Sequence, residues 1–366
     1  MAITVREIQR MLETLAPSAL AESWDNVGLL VGDPAGEVTG VLVALDATAA
    51  VLDQAAAREA QLLVVHHPLI FSGLKRLTED GGTSNLVRRL VREGRGLLAL
   101  HTNLDSAPEG LNQYVADLLG LYEIRPLIPS EARLLLKLVV YVPATHADAV
   151  RAAIGAAGAG HIGHYAECTF GVEGTGTFRP EAGTHPFIGQ AGVLERVPEM
   201  RLETVVPRAA LGRVLPALLA SHPYEEVAYD LLPLENSWPG AGLGRIGILA
   251  TPITAGTFRD LVNTALGTRR ALLVGRPERL VRTVALCTGS GGDFAEQAFR
   301  AGADCYLTGE VKHHQALLAR DRDWTLVDAG HFPTERPAVD LLASRLSVAF
   351  PALHVTVADE HDPFGG

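Results

Sequence analysis

The sequence contains little cysteine, and what it has is scattered. Its 366 residues include only Cys168, Cys287 and Cys305, and no two of these form a CxxC pair. This spacing argues against a disulfide framework and against a zinc site built from thiolates. Since structural disulfides belong to oxidising compartments, the scarcity of cysteine favours a reducing cytoplasm, which we expect as the location of the protein.

The sequence also lacks a long apolar run and an excess of basic residues. Charges and glycines interrupt every apolar stretch before it reaches the roughly 20 residues that a membrane-spanning helix needs. The N-terminal segment MAITVREIQRMLETL carries charges within its apolar periodicity, so it predicts an amphipathic helix and not a signal peptide. The net charge of −11 argues against a broad surface for nucleic acid, which would need clustered Lys and Arg. We therefore expect neither a membrane nor a nucleic acid as a partner.

The outer parts of the chain alternate short apolar runs with helical patterns. The length and the hydrophobic content of 48% allow several cores and suggest two or three domains. Runs such as VLVALD, LLVVHH and GLLALH, and later RIGILA, TVALCTG, CYLTG and WTLVDAG, are typical of buried strands. The alternation predicts an α/β fold in which two lobes with mainly parallel sheets, residues 1–125 and 246–366, form one body.

The middle of the chain, residues 126–245, has a different rhythm. Its patterns follow the order β, α, β, β, α, β, and YAECTFGVEGTG is interpreted as a strand that enters a glycine-rich loop. That order predicts a ferredoxin-like α+β unit inserted between the two lobes.

A histidine pair in QLLVVHHPLIF is the first candidate for chemistry. His66 and His67 directly follow a short apolar run that predicts a buried strand, and Pro68 favours an end of the strand there. Ligands collect at such strand ends in open α/β sheets. Either histidine alone is more often a half-buried structural residue. Both can serve one site only if the backbone turns at the pair, because neighbours on a regular strand point to opposite faces.

Two more predicted strands end in polar side chains. GLLALHTNLDS places His101, Asn103 and Asp105 beyond one strand, and WTLVDAGHFPTERP places His331 and Glu335 beyond another. The spacing of four puts His331 and Glu335 on one face if a helix begins there. The alternatives are a helix cap for Asp105 and a surface pair of little consequence for the other two.

Taken together, these strand ends offer a set of nitrogen and oxygen donors for metal. Such a set suits zinc, manganese, iron or cobalt. Five donors with carboxylates that can bridge exceed what one catalytic zinc usually takes from protein, so a site for two divalent metal ions is the economical hypothesis. Metal-bound hydroxide at such a site points to hydrolytic chemistry. The candidate ligands are His66, His67, Asp105, His331 and Glu335.

Other segments have weaker signals. In TGEVKHHQ, Glu310 is a candidate general base and His313 a candidate proton donor to a leaving group, but a first-turn helix charge and a solvated histidine explain them equally well. Asp25 and Asn26 either close the site or form an Asx turn. The glycine-rich CTGSGGDF could hold a phosphate at a helix start, although it has neither a Walker nor a dinucleotide spacing and Asp293 as a helix cap explains much of it.

The motifs SWDNVGLLVGDP, VVHHPLIF, HTNLDSAPEGLN, TGEVKHHQA and DAGHFPTE together resemble the NIF-three-like family of dinuclear-metal, hexameric proteins. That family is often labelled GTP cyclohydrolase 1 type 2 homologue. The resemblance covers both outer segments, and the residue types match at all the ligand positions. It implies a homohexamer in which each subunit binds two divalent metal ions through His66, His67, Asp105, His331 and Glu335.

The middle segment resembles the inserted domain of the longer family members, which is similar to the trimeric PII and CutA folds. GHIGHYAECTFGVEGTGTFRP and SHPYEEVAYDLLPL carry this resemblance, which implies trimer contacts through the insertion. His164 departs from the GNY version of the motif, where Asn is expected, so no ligand site is assigned to the insertion. His161 and His164 are either a second metal pair or exposed loop histidines.

The function expected from these features is metal-dependent hydrolysis of a nucleotide or another small phosphorylated compound. If the reaction opens a purine ring, hydroxide would attack C8 and formate would leave, although nothing in the sequence selects guanine. One alternative is a metal-binding regulatory or scaffold protein with a ligand-sensing insertion. Another is a nuclease or phosphodiesterase, which the negative net charge disfavours.

Overall fold

A computed structural model describes residues 2–78, 82–130, 135–163, 165–236 and 240–365 of the chain. His164 lies outside the described residues, so the hypothesis of a second metal pair with His161 stays a prediction. Within these ranges no helix has the length and the apolar character that crossing a bilayer requires.

The strands of the described chain are β1 (Ile3–Thr4), β2 (Gly28–Val31), β3 (Glu37–Val38), β4 (Gly40–Ala44), β5 (Leu62–Val65), β6 (Gly96–Ala99), β7 (Tyr122–Pro129), β8 (Leu135–Pro143), β9 (Thr169–Phe178), β10 (Glu195–Pro207), β11 (Tyr229–Pro233), β12 (Gly242–Thr254), β13 (Leu272–Val274), β14 (Leu280–Cys287), β15 (Cys305–Thr308), β16 (Thr325–Asp328) and β17 (His354–Val357). The α-helices are α1 (Val5–Leu15), α2 (Ala49–Ala57), α3 (Gly82–Arg92), α4 (Thr102–Ser106), α5 (Leu111–Leu118), α6 (Ala147–Ala156), α7 (Leu211–Ser221), α8 (Ala255–Ala265), α9 (Ala295–Arg300), α10 (His313–Asp321), α11 (His331–Glu335) and α12 (Pro337–Ala349).

A five-stranded sheet has the order β17-β4-β5-β6-β2. Its pairs are parallel except for β2, which runs antiparallel to β6. Every residue of β4, β5 and β6 is buried, as expected of strands that read as continuous apolar runs. Leu42, Leu63 and Leu97 pack in one core with Leu52 of α2 and Leu90 of α3.

A six-stranded sheet has the order β13-β16-β15-β14-β12-β7. Only β14, β15 and β16 pair in parallel, whereas β12, β7 and β13 join antiparallel. The prediction of mainly parallel sheets is therefore wrong for this sheet, and the fold is mixed α/β. An apolar run indicates that a strand is buried, and a buried strand can join its sheet in either direction.

The two outer segments of the chain exchange strands. β17, from the end of the chain, lies beside β4, and β7, from the first half, lies beside β12. By its contacts the chain divides into two compact units, Met1–Ser130 with Gly240–Gly366, and Glu131–Pro239. The boundaries predicted at 125/126 and 245/246 fall inside β7 and β12, which both belong to the first unit.

The second unit contains, in chain order, β8, α6, β9, β10, α7 and β11. Its four strands form an antiparallel sheet with the order β11-β8-β10-β9. Val140 and Leu202 face the core that Val150 of α6 and Val214 of α7 complete. The glycine-rich segment that was predicted as a loop lies inside β9, so that prediction is wrong.

Candidate metal centre

Three strands of the first unit end at the candidate centre. β5 ends at Val65, directly before His66 and His67. β6 is followed by Leu100 and then by His101, which precedes α4. β16 leads through Gly330, whose φ of 89° suits glycine, into the short helix α11, which begins at His331 and ends at Glu335.

The backbone turns at the histidine pair, so that both rings reach one carboxylate. His66 Nε2 lies 3.8 Å from Glu335 Oε1, and His67 Nε2 lies 2.9 Å from Glu335 Oε2. His66 is fully buried, and its Nδ1 lies 2.8 Å from the carbonyl oxygen of Leu100. Because that carbonyl can only accept, Nδ1 carries the proton in the neutral ring and Nε2 is left as a lone-pair donor.

Glu335 is the residue around which the imidazoles are arranged. It is 4% exposed, and its Oε2 lies 2.8 Å from Nε2 of His331 on the same helical turn. A glycine makes room for the carboxylate. A Cβ at Gly289 would lie 2.0 Å from Glu335 Oε1, and the φ of 61° at that position also favours glycine.

Two buried polar atoms of this centre have no hydrogen-bond partner. Among the side chains that the structure describes, the buried nitrogen and oxygen atoms in this condition are His66 Nε2, Glu335 Oε2 and Thr325 Oγ1. Glu335 Oε2 does lie 2.9 and 2.8 Å from Nε2 of His67 and His331, and these are ring nitrogens of the kind that ligate metal ions. Unpartnered buried donors and acceptors are costly, and a cation bound between them would remove the cost. The residues present thus fit a divalent metal ion.

Among the residues that the structure describes, the potential ligand atoms form two groups that share His67. His66, His67 and His101 make up one group, and His67, His331 and Glu335 make up the other. In each group the ligand atoms lie within 4.8 Å of one another. Four of the predicted ligands are thereby brought together, and His101 joins them.

Asp105, the remaining predicted ligand, lies outside both groups. It is buried in α4, and its Oδ1 lies 3.5 Å from the hydroxyl of Thr288. Burial raises the pKa of this carboxyl group, although the nearby imidazole of His66 opposes that effect. A metal-binding role for Asp105 stays a prediction.

The protonation of the centre follows from its carboxylates. Burial lowers the pKa of His67, but the Asp46 and Glu335 carboxylates outweigh it and raise that pKa to about 10. The contact with Glu335 likewise raises the pKa of His331 to about 9, against the effect of burial. Despite its own burial, the pKa of Glu335 is held well below its usual value by these imidazoles. A divalent metal ion would displace the imidazole protons from such a centre.

Carboxylates also contact the Nδ1 atoms of three imidazoles. Asp46 lies 2.9 Å from Nδ1 of His67. Asp25 lies 3.0 Å from Nδ1 of His101, and Glu310 lies 2.7 Å from Nδ1 of His331. This arrangement fixes ring orientation and raises ligand basicity in metal sites, where ligating histidines almost always donate their second N–H to a carboxylate, a carbonyl or water.

The sequence patterns indicated only some of the carboxylates that contact the histidines. Asp46 was not singled out, although it is the last residue of the run VLVALD, and the other candidates also lie at the ends of such runs. Asp25 has a fully buried side chain, accepts from the backbone N–H of Thr102 at 3.0 Å, and has a pKa of about 2, since hydrogen bonds from His101 and Thr102 outweigh its burial. Neither Asp25 nor His101 was assigned a ligand role.

The two predicted catalytic residues have different positions. Glu310 contacts His331 and accepts a hydrogen bond from Ser290 at 2.8 Å, and these contacts lower its pKa against the effect of burial. His313 is exposed at the start of α10 and belongs to neither group of ligand atoms. Catalysis by either residue stays a prediction.

The loop CTGSGGDF lies against the centre. Its Gly289 adjoins Glu335, and its Ser290 donates to Glu310. The side chain of Asp293 accepts from Lys312 at 2.8 Å and does not cap the helix. A phosphate site at this loop stays a prediction, and the contacts that the loop makes are with residues of the centre.

An exposed aromatic pair adjoins the centre. Trp24 and Phe71 stack with their ring centroids 5.8 Å apart, and they are 56% and 52% exposed. Both rings meet the imidazole of His101 at a steep angle, with centroids 6.0 and 5.8 Å from it. Sequence reasoning did not anticipate this pair.

Comparison with known proteins identifies the family. The family model Duf34/NIF3 (NGG1p interacting factor 3) matches residues 3–363. The chain belongs to this family. The resemblance expected from the sequence motifs is thereby confirmed.

Relatives of this Duf34/NIF3 chain cover most of its length. A protein of Halalkalibacterium halodurans is 42% identical over 322 residues, which are 88% of this chain and 87% of that protein. A protein of Mycobacterium bovis is 40% identical over an aligned length of 371 positions, which covers 98% of this chain and 97% of that protein. Both are named GTP cyclohydrolase 1 type 2 homolog. The crystal structure of a Bacillus cereus protein related to NIF3 is similar with a TM-score of 0.87 and 38% identity, covering 100% of this chain and 99% of that one.

Proposed function

We propose that this Duf34/NIF3 protein is a metal-dependent hydrolase that binds two divalent metal ions per subunit and acts on a nucleotide or another small phosphorylated compound. One observation carries the proposal. Imidazoles held at Nδ1 by carboxylates present Nε2 towards the buried Glu335, where His66 Nε2 and Glu335 Oε2 have no hydrogen-bond partner among the described residues. The names of the relatives, GTP cyclohydrolase 1 type 2 homolog, agree with such an activity.

The proposed ligands are His66, His67, Asp105, His331 and Glu335, and the metal is zinc, manganese, iron or cobalt. When bound, such ions lower the pKa of a coordinated water and so supply hydroxide near neutral pH. In this proposal the residues Asp46, Asp25 and Glu310 orient imidazoles through Nδ1. Glu310 also remains our candidate for a general base, and His313 for a proton donor to the leaving group.

The aromatic pair supports a substrate with a planar ring. Trp24 and Phe71 leave large apolar faces exposed beside His101, and a nucleobase is of suitable shape to stack on such faces. If the substrate is GTP, attack at C8 of the purine would release formate. A nucleic-acid substrate is less favoured because the chain is acidic.

We further infer that the protein is a cytoplasmic homohexamer with trimer contacts through a ferredoxin-like insertion. The order of elements in the second unit and the sheet order β11-β8-β10-β9 support the ferredoxin-like assignment. The edge strand β9 supports self-association, since Phe170 and Val172 are 66% and 49% exposed on it. Replacing Phe170 by Asp should lower the molar mass measured by light scattering, and an unchanged mass would exclude these contacts.

A substrate screen on metal-loaded protein tests the proposed activity. The panel contains GTP, other nucleotides, small phosphate esters and single-stranded nucleic acid, with formate, phosphate and cleavage products measured. The Glu335→Gln variant is the test, and Asp340→Asn, an exposed residue of α12, is the matched control. We expect turnover by the wild type and the control and none by Glu335→Gln. No turnover of any compound, with dissociation of the oligomer in Glu335→Gln, would instead support a metal-binding scaffold.

A further inference from the structure

A cavity of about 270 Å³ lies within the second unit, remote in sequence from the metal ligands. Tyr141 of β8 and Glu199 of β10 form part of its wall. Strand periodicity places both on the sheet face opposite to the helices, because Val140 and Leu202, their neighbours of the other parity, face the helical core. The cavity is therefore separate from the core of this unit.

Two connecting segments complete the cavity above the sheet. Residues 179–188 supply Phe187, and residues 224–228 supply Tyr224. The backbone N–H of His185 donates to the Glu225 carboxylate at 2.9 Å, which joins the two segments. A small molecule between them would be enclosed by the sheet on one side and the joined segments on the other.

Four aromatic rings contribute to the lining of the cavity. The ring of Tyr224 lies 5.5 Å from that of Phe178 and 6.4 Å from that of Phe187, measured between centroids. Tyr141 adds a further ring to the lining. The faces of such rings carry negative potential and attract organic cations, including amines and quaternary ammonium groups.

The charged side chains of the cavity also favour a positively charged ligand. Three carboxylates, those of Glu199, Glu225 and Glu226, line it together with a single guanidinium, that of Arg179. Arg179, Glu225 and Glu226 are exposed, whereas Glu199 is only 9% exposed. A phosphate or a carboxylate in this cavity would face more negative than positive charge.

Glu199 is held in the wall by specific contacts. Its Oε1 accepts a hydrogen bond from the hydroxyl of Tyr224 at 2.8 Å. Burial and this carboxylate raise the pKa of Tyr224, so the hydroxyl stays protonated and donates. Gly176 on β9 makes space for the carboxylate, because a Cβ there would lie 1.9 Å from Glu199 Oε2. One oxygen of the Glu199 carboxylate thus accepts from the hydroxyl, and the carboxylate lies in the wall of the cavity as an acceptor for a cationic donor.

We propose that this cavity is a binding site for a small organic cation, an aliphatic amine whose ammonium group pairs with Glu199 and whose carbon chain lies against Phe178, Phe187 and Tyr224. The pairing would form a charge-assisted hydrogen bond, and the rings would contribute apolar contact and cation–π attraction. Such a site gives the second unit a ligand of its own, different in chemistry from a nucleotide.

Calorimetric titration of the full-length chain with putrescine tests this proposal. The diol of the same chain length is the uncharged probe, and ATP is the anionic probe. Glu199→Gln removes the charge but keeps an acceptor for Tyr224, and Glu173→Gln, on an exposed position of β9, is the matched control. Thermal unfolding of each variant shows whether it is folded.

We expect saturable binding of putrescine to the wild type and to Glu173→Gln, and an affinity at least about tenfold lower in Glu199→Gln. Putrescine binding should persist in Glu335→Gln. This variant therefore distinguishes binding in the cavity from binding at the metal centre, which also contains carboxylates. Absence of putrescine binding, equal affinity in Glu199→Gln, or equal affinity for the diol would overturn the proposal. Tighter binding of ATP that is lost in Arg179→Ala would do so as well.

Discussion

Each of the two units contains a buried glutamate that occupies the space beside a glycine, and the two differ in their neighbours. Glu335 of the first unit is 4% exposed beside Gly289, and Glu199 of the second is 9% exposed beside Gly176. Imidazole nitrogens held in fixed directions surround Glu335, whereas one hydroxyl and several aromatic rings surround Glu199. Directional nitrogen donors suit a divalent metal ion, and ring faces suit a diffuse organic cation. The neighbours of a buried carboxylate thus select its cation.

Among substitutions at or near the two glutamates, removal of the charge of Glu335 should have the largest effect on cation affinity. In Glu335→Gln the amide keeps the volume but loses the negative charge that the two imidazoles within 2.9 Å face. We expect the affinity for zinc or manganese to fall by more than about a hundredfold, since a ligand is lost and not merely its partner. Competition with a metal-sensitive dye measures the change. Unchanged metal affinity would mean that Glu335 is a structural ion-pair residue.

A smaller effect is expected when the partner of an imidazole is changed. Asp46→Asn removes the charge that orients His67, while Asp46 itself lies outside both groups of ligand atoms. The expected loss of metal affinity is about tenfold to a hundredfold, as for partners of metal-bound histidines in general. The same titration measures it, with putrescine binding as the internal control. An effect as large as that of Glu335→Gln would indicate that the variant has lost its local fold.

The second unit offers a matched pair of glycines. Gly176→Ala would push the Glu199 carboxylate aside, whereas Gly174→Ala meets only the Glu199 backbone oxygen at 4.0 Å, an ordinary contact. We expect the first substitution to weaken putrescine binding about tenfold and the second to leave it unchanged, with metal affinity unaltered in both. Equal behaviour of the two variants would contradict the role given to the position of Glu199.

The smallest effect should come from the hydroxyl of Tyr224. Tyr224→Phe removes one hydrogen bond to Glu199 and keeps the ring. The free energy of unfolding should fall by about 1 kcal/mol, measured by urea denaturation, because a single hydrogen bond contributes about that much. A loss of metal affinity in this variant would show that the two sites are coupled, which the comparison does not predict.

The candidate metal ligands were easier to predict from the sequence than the fold around them. His66, His67, His331 and Glu335 each follow an apolar run closely, and the ends of buried strands are where side chains become available to ligands. The sequence did not predict that β7 pairs with β12 and that β17 pairs with β4. A short apolar strand does not specify which strand lies beside it.

The contacts that were missed have a common physical cause. Asp46 and Asp25 reach their imidazoles across elements that are distant in the chain, and only the folded arrangement shows which carboxylate meets which ring. The same holds for Glu199, whose burial depends on a glycine of the neighbouring strand and on segments that cover the sheet. A glutamate in a strand of mixed polarity is ordinarily interpreted as solvent-facing.

The number of bound metal ions shows whether the strand ends of the first unit form a metal centre. Elemental analysis of the full-length chain, purified without chelator and reconstituted with zinc or manganese, should give about two divalent ions per chain for the wild type, and clearly fewer for Glu335→Gln. Both proteins should show the same circular dichroism spectrum. A wild-type content well below one ion per chain after reconstitution, or equal contents in the two proteins, would contradict a metal centre at these strand ends.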